Sequence, residues 1–357
     1  MTRRRTAVVT AGLAAGAVAG GMIGRTVLNA RRRAQDPEAH ERFSSLPPED
    51  LGPVRSFDGT ELAVRASGDA SSPVLLFAHG FSLDMTTWHY QWTELSRRFR
   101  CVAFDFRSHG RSQRAAHGDV SPSAFGHDLA AVLEAVVPDG RALVVGHSMG
   151  AMAILAMAES RPDIVTGRLA GVVFAGAAAN DLLRGAMGSI TDLLRPRIGS
   201  LRQAAERVNR LRRHVLSSPI DIGHLVARVT QFGPHASPHI VDYVVGLAAD
   251  ASSDVWTDGL VGLMDMDLRH AVRHVRVPAL VLVGEHDRVT PPSSAVAIAA
   301  ELPDGRLEVL EGAGHIPMME AHEEFNRRLG GFADLVFEDG AGRRRNRGAS
   351  ARNRRSG

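Results

Sequence analysis

Short apolar runs alternate with segments of helical period through most of the chain. Val54 to Phe57, Asp58-Gly59 and Thr60 to Arg65 predict a hairpin. Val74 to Ala78, Cys101 to Phe104, Ala142 to Val145, Leu169 to Phe174 and Ala279 to Val283 are continuous apolar runs of strand length, and Arg306 to Leu310 is a weaker last one. Between them, Trp88 to Arg98, Ser123 to Val137, Met149 to Glu159 and Ala321 to Leu335 have helical spacing, with Gly330-Gly331 a candidate interruption of the last. Strands that are apolar on both faces and alternate with helices predict an α/β fold: a mostly parallel sheet covered on both sides. Asn180 to Arg273 breaks the rhythm. It is Arg- and Leu-rich without a convincing β-run, and is expected to be a helical cap inserted after one strand. The core is then residues 54–179 and 274–337, with the cap at 180–273.

The ends differ from this body. Thr6 to Gly24 carries no charge and is about as long as a short membrane span. Ala17-Val18-Ala19 would suit cleavage of a secretory signal, whereas Gly12, Gly16, Gly20 and Gly24 would give an uncleaved helix a small-residue ridge. An Ala/Gly-rich soluble tail is the third reading. The anchor is ranked first for residues 1–33, which makes the expected location membrane-associated, with secreted or cytoplasmic as alternatives. Arginines flank both sides, so orientation stays open. Residues 34–53, with Pro47-Pro48, read as a linker. Residues 338–357 are Gly, Arg, Asn and Ser with few apolar positions and are expected to be disordered.

Composition narrows the classes. Of 357 residues 44% are hydrophobic, enough for a sizeable core, and only 5% are aromatic, so aliphatic side chains must fill it. The 42 basic residues are all arginine, yet the net charge is +3, which is no nucleic-acid signature. Cys101 is the single cysteine, so an internal disulfide, a CxxC pair and a cysteine zinc site are excluded. No His-Glu-x-x-His spacing occurs, and neither metal nor organic cofactor is implied.

Gly146-His147-Ser148-Met149-Gly150 fits G-x-S-x-G between a predicted strand and a predicted helix. A nucleophile elbow requires that context, because a strand-to-helix turn with small neighbours exposes the serine oxygen. Four further stretches complete a resemblance to the α/β-hydrolase family over roughly Val54 to Phe337: His79-Gly80-Phe81; Asp105 to Ser112, with Ser108 where glycine is usual; Gly284-Glu285-His286-Asp287; and Gly312 to Glu320 around His315. The order Ser, Asp, His is the family's. The resemblance implies Ser148 as nucleophile, His315 as general base and acid, and Asp287 as the group that orients His315. It also implies an oxyanion hole from the backbone N–H groups of Phe81 and Met149. Glu285, Asp265 and Asp267 are alternative acids, and Asn180-Asp181 marks an earlier position that some relatives use. His147, His79 and His109 read as packing or loop residues. Trp88 and Phe81 are candidates for the acyl pocket, with ordinary core packing the equal alternative for Trp88.

Serine in place of a carboxylate nucleophile argues against epoxide opening and halide displacement and leaves acyl chemistry. The expected function is a carboxylic-ester hydrolase acting on an apolar acyl chain, such as a lipase. Alternatives are a thioesterase, amidase or perhydrolase, or a non-catalytic ligand-binding module of this fold. The expected partners are a small-molecule or lipid ester and a membrane reached through the N-terminal segment; no nucleic acid is expected and no protein partner is deducible.

Overall fold

The computed structural model describes residues 36–180, 222–252 and 255–353. Eight strands form one sheet: β1 (Glu49–Arg55), β2 (Glu61–Ser67), β3 (Val74–Ala78), β4 (Arg100–Phe104), β5 (Ala142–His147), β6 (Leu169–Ala175), β7 (Ala279–Gly284) and β8 (Gly305–Leu310). Their order is β1-β2-β4-β3-β5-β6-β7-β8. β2 runs antiparallel to both β1 and β4, and every other neighbouring pair is parallel. The helices are α1 (His89–Leu95), α2 (Pro122–Val136), α3 (Met149–Ser160), α4 (Pro162–Arg168), α5 (Ile222–Thr230), α6 (Pro238–Asp250), α7 (Leu260–Asp265), α8 (Pro292–Glu301), α9 (Pro317–Glu320) and α10 (His322–Asn353).

The continuous apolar runs are explained by the pleat. Along β3, Leu76 and Ala78 join one core with Phe104, Val144 and Phe174, against Phe125 and Leu129 of α2 and Ile154 of α3. Leu75 and Phe77 point the other way, into a second core with Trp88, Val145, Leu282, Phe325 and Leu329. On the central strands alternate residues serve opposite faces, and both faces are covered, so both sets are apolar.

Three expectations change. The stretch 34–53 is not a free linker: β1 starts at Glu49, and Phe43 is buried against the rings of His89, Tyr90, His239 and Tyr243. β1 is an edge strand with mostly exposed side chains, a register shift between Asp50 and Pro53, and Gly52 at φ +75°. Its sequence therefore lacks an apolar pattern, and proline is admitted at the edge. The last helix is not interrupted: α10 passes through Gly330-Gly331. Each glycine costs about 1 kcal/mol, whereas burying one side chain such as Phe325 or Leu329 returns about 1.5–3 kcal/mol. The same helix continues to Asn353, through most of the tail expected to be disordered. Propagation from a packed start is easier than nucleation, and arginine and alanine favour it.

Between Asn180 and Arg273 the described residues hold α5, α6, α7, a π-helical turn at Val255–Gly259 and the start of a 3₁₀ turn at Arg269–His274, with one isolated bridge from Asn180 to Asp267. Residues 181–221 of the expected cap and the apolar segment Thr6 to Gly24 lie outside the described residues. Among the described residues no helix is long and apolar enough to cross a membrane.

Candidate active site

The sheet's carboxyl edge carries the site. At the end of β5 the chain turns into α3 through Ser148, whose φ of +49° is rare for a residue with a side chain. Such a conformation costs about 1–3 kcal/mol and persists only where its surroundings enforce it. The flanking glycines do so. A Cβ on Gly146 would sit 2.6 Å from the Ala151 nitrogen, and one on Gly150 would collide with the Ala78 carbonyl oxygen. The start of α3 therefore packs backbone to backbone on the end of β3. The Ser148 N–H donates to the Ala175 carbonyl at 2.9 Å, which fixes the turn from the neighbouring strand. Met149 opens α3, where the first N–H groups have no partner within the helix.

His315 and Asp287 reach Ser148 from loops after β8 and β7. The Ser148 hydroxyl lies 3.1 Å from His315 Nε2, and His315 Nδ1–H donates to Asp287 Oδ2 at 2.8 Å. Asp287 Oδ1 also accepts from the backbone N–H of Val289 at 2.9 Å and Thr290 at 2.8 Å, and Oδ2 from the Thr290 hydroxyl at 2.7 Å. Burial acts to raise the Asp287 carboxyl, but the His315 charge and these hydrogen bonds outweigh it and hold the group below the ordinary carboxylate range. The other acid candidates are occupied elsewhere. Glu285 accepts from the Gly312 N–H, Asp267 pairs with Arg269, Asp265 is exposed, and Asn180 bridges to Asp267. Asp181 lies outside the described residues.

The sequence model of the "Alpha/beta hydrolase family" matches residues 75–328. The chain belongs to this family. A bifunctional esterase/perhydrolase of Acinetobacter calcoaceticus is 27% identical to this hydrolase over 285 residues, covering 78% of the chain and 98% of the relative. An uncharacterized protein of Mycobacterium tuberculosis is 27% identical over 300 residues, covering 80% and 83%. Among solved structures, a thermophilic esterase from Thermogutta terrifontis superposes with a TM-score of 0.64 at 26% identity, covering 81% of this chain and 99% of its own. The hydrolase is thus of a family whose neighbours are esterases and related hydrolases.

The loop carrying Gly80 and Phe81 lies against the elbow. A Cβ on Gly80 would come within 2.5 Å of His147 Nδ1, so only glycine lets the loop approach so closely. Two buried histidines hold it. His79 Nδ1–H donates to the Gly80 carbonyl at 2.8 Å, and its Nε2 accepts from the Phe106 N–H at 3.0 Å. His109 Nδ1–H donates to the Arg107 carbonyl at 2.9 Å, and its Nε2 accepts from the Ser82 N–H at 3.3 Å. Burial takes His79 down to about 4; burial, with the nearby His79 charge, takes His109 to about 3. Both stay neutral and keep these tautomers at neutral pH. Ser108 stands at φ +63°, a conformation that favours glycine, and its hydroxyl accepts from the Ala115 N–H at 3.0 Å.

Trp88 is misplaced as a pocket residue. It is fully buried and packs on Phe77 and Phe325 within the second core. An aromatic shortly after the His-Gly-Phe loop is ambiguous in sequence, and the fold turns it inward. Phe81 instead meets a ring that sequence reasoning passed over: Trp256 of the cap stands edge-on to it at 5.3 Å, with its indole N–H donating to the Ala248 carbonyl. Beside this loop, a cavity of about 460 Å³ is lined by Ser82, Asp84, His109, Arg111, Asp250 and Ser252, among others. Among the described residues no cluster of three or more His, Cys, Asp or Glu side chains is arranged to hold a metal ion.

Thr290 and Glu320 were also missed as supporting groups. Thr290 carried no signal beyond lying three residues after the acid. Glu320 closes the histidine stretch, and its carboxylate turns back to accept three backbone N–H groups. Burial of that carboxyl raises it to about 7, and those hydrogen bonds and the His315 charge only partly offset the burial.

Proposed function

We propose that this hydrolase cleaves carboxylic esters through an acyl-serine intermediate. The observation that carries the reading is the continuous relay from the Ser148 hydroxyl to His315 Nε2 and from His315 Nδ1–H to Asp287, mounted on a serine held at φ +49°. Ser148 Oγ attacks the acyl carbon while His315 takes its proton. The tetrahedral oxyanion is bound by the N–H groups of Phe81 and Met149, and losing one such donor typically costs about 3–4 kcal/mol of barrier stabilisation. His315 then gives the proton to the departing alkoxide. Water, activated by the same imidazole, releases the acid and restores the serine. Asp287 keeps the Nδ1–H tautomer and stabilises the imidazolium.

The Phe81–Trp256 pair gives the site an apolar wall, which favours an apolar acyl chain, and the polar cavity beside Ser82 and His109 suits a polar leaving group. The names of the Acinetobacter and Thermogutta relatives support ester chemistry over thioester or amide cleavage. The full chain, assayed with p-nitrophenyl esters from short to long acyl length, tests the proposal. Turnover that vanishes in Ser148→Ala supports it. Full retention of turnover in that variant refutes it. The N-terminal segment is proposed to anchor this activity to a membrane: the full chain should sediment with membranes and resist release by high salt, and recovery in the soluble fraction would reject the anchor.

A further inference from the structure

The backbone of His315 is gripped from three sides. Its carbonyl accepts from His147 Nε2–H at 2.7 Å, which ties it to the residue before Ser148. Its own N–H donates to the carbonyl of Gln231 at 2.6 Å, which belongs to the cap segment after α5. The neighbours of His315 on either side are held by Glu320: Oε1 accepts from the Gly314 N–H at 3.0 Å and the Ile316 N–H at 3.1 Å. The other oxygen, Oε2, accepts from the Gly233 N–H at 2.7 Å. One carboxylate thus spans the histidine loop and the cap. The seam between them admits no side chain. A Cβ on Gly314 would lie 2.5 Å from the Gln231 carbonyl oxygen, and one on Gly233 would collide with the Gly312 carbonyl oxygen.

We propose that Glu320 is a positioning residue for the hydrolytic reaction: it sets the height of His315 above Ser148 by bolting the histidine loop to residues 231–233 of the cap, so the cap is part of the base's mount as well as a cover. This rests on the reading of Ser148 and His315 as nucleophile and base. The physical reason is reach. Ser148 Oγ and His315 Nε2 stand 3.1 Å apart, at the long end of a hydrogen bond, and a shift of about 1 Å can cost about 100-fold in rate. In the loop from Glu311 to Ile316, Ala313 and Gly314 rest on the end of β7 through Gly284 and the His286 N–H, and the carboxyl of Glu320, bonded on both sides of His315 and to the cap, adds the constraint at the histidine itself.

Three variants separate the roles. Glu320→Gln keeps an oxygen for Gly314 and Ile316 but turns an amide N–H toward the Gly233 N–H, so it breaks the cap bond alone. Glu320→Ala removes all three bonds. Gly233→Ala forces the seam apart from the cap side with Glu320 intact. Each full-length variant is assayed for kcat and KM on a short-chain p-nitrophenyl ester, for the rate at which a fluorophosphonate labels Ser148, and for melting temperature. The expected result is a fall in kcat and labelling rate of about 10- to 100-fold for Glu320→Ala and Gly233→Ala, a smaller fall for Glu320→Gln, and KM within about threefold throughout. Glu320→Gln is isosteric and decides the matter if the others fail to fold. Variants that melt earlier but keep kcat and labelling within threefold of the parent overturn the proposal and leave Glu320 a structural group. Failure of the parent protein itself to label at Ser148 overturns the active-site reading, and this inference with it.

Discussion

The two halves of the candidate site are built by opposite means. Ser148 is placed by its immediate neighbours: Gly146 and Gly150 clear the turn, and one backbone bond to Ala175 completes it. His315 is placed by His147 and Gln231, far away in sequence, and by Glu320, which ties its loop to the distant Gly233, with Asp287 and Thr290 on the ring. A local device is strained and rigid. A distributed one relaxes when any one support is lost, so damage to it should be graded.

Several substitutions would sharpen that contrast. The largest effect is expected at the nucleophile: Ser148→Ala should lower kcat by about 10⁶, leaving only oxyanion and binding contributions. Ester turnover within tenfold of the parent would break the acyl-serine reading. Asp287→Asn should cost about 10⁴ in kcat, because the amide stabilises the wrong His315 tautomer, and the loss is measured on the same esters. Gly150→Ala should damage the elbow as a unit. Its new Cβ meets β3 backbone, which cannot yield as a side chain would, so activity and about 1–3 kcal/mol of stability should fall together in a denaturant titration. An active, fully stable Gly150→Ala protein would show that the elbow is softer than argued.

Acid should expose another difference. His79, His109 and His147 are buried and neutral, and burial carries them to about 4, 3 and 3. Unfolded histidines titrate near 6.5, so between that value and about 3 the unfolded chain binds more protons than the folded one. The histidine contribution should therefore fall as pH drops below about 6.5, while Glu320 and Asp105, both carried up to about 7 by burial, act in the opposite direction, so the histidines are followed individually by imidazole NMR from pH 7 to 4. Asp287, held low, loses its contribution only below the ordinary carboxylate range. A protonated imidazole at His79, His109 or His147 in the folded protein at pH 5 would contradict neutral buried histidines. The smallest effect is expected at the cap: Trp256→Ala should change the preference between long and short acyl chains by about tenfold, with little change in the rate for the smallest ester.

How much of this was legible follows from the range of each interaction. The elbow was readable because its requirements are local: a strand, two glycines around a serine, and a helix. Strands β3 to β7 were readable because both faces are buried and all but Arg100 and His147, at strand ends, are apolar. β1 was readable only at its end: the hairpin strand expected from Val54 overlaps it at Val54 and Arg55, and the exposed edge before that, with Gly52 and Pro53, leaves no pattern. Trp88 was left between pocket and core because proximity in sequence to Phe81 says nothing about which way a side chain faces once α1 docks on the sheet; it faces the core.

The sequence by itself determined the alternation of strands and helices, the G-x-S-x-G turn at Ser148 and the stretch around His315, because each depends on residues within a few positions of one another. Only the tertiary structure decided that Asp287, rather than Glu285, Asp265 or Asp267, meets His315, that Trp256 faces Phe81, and that Glu320 joins the histidine loop to Gly233. Those pairings close loops of tens to hundreds of residues, and their geometry is set by how helices and cap pack on the sheet, which no short-range pattern records.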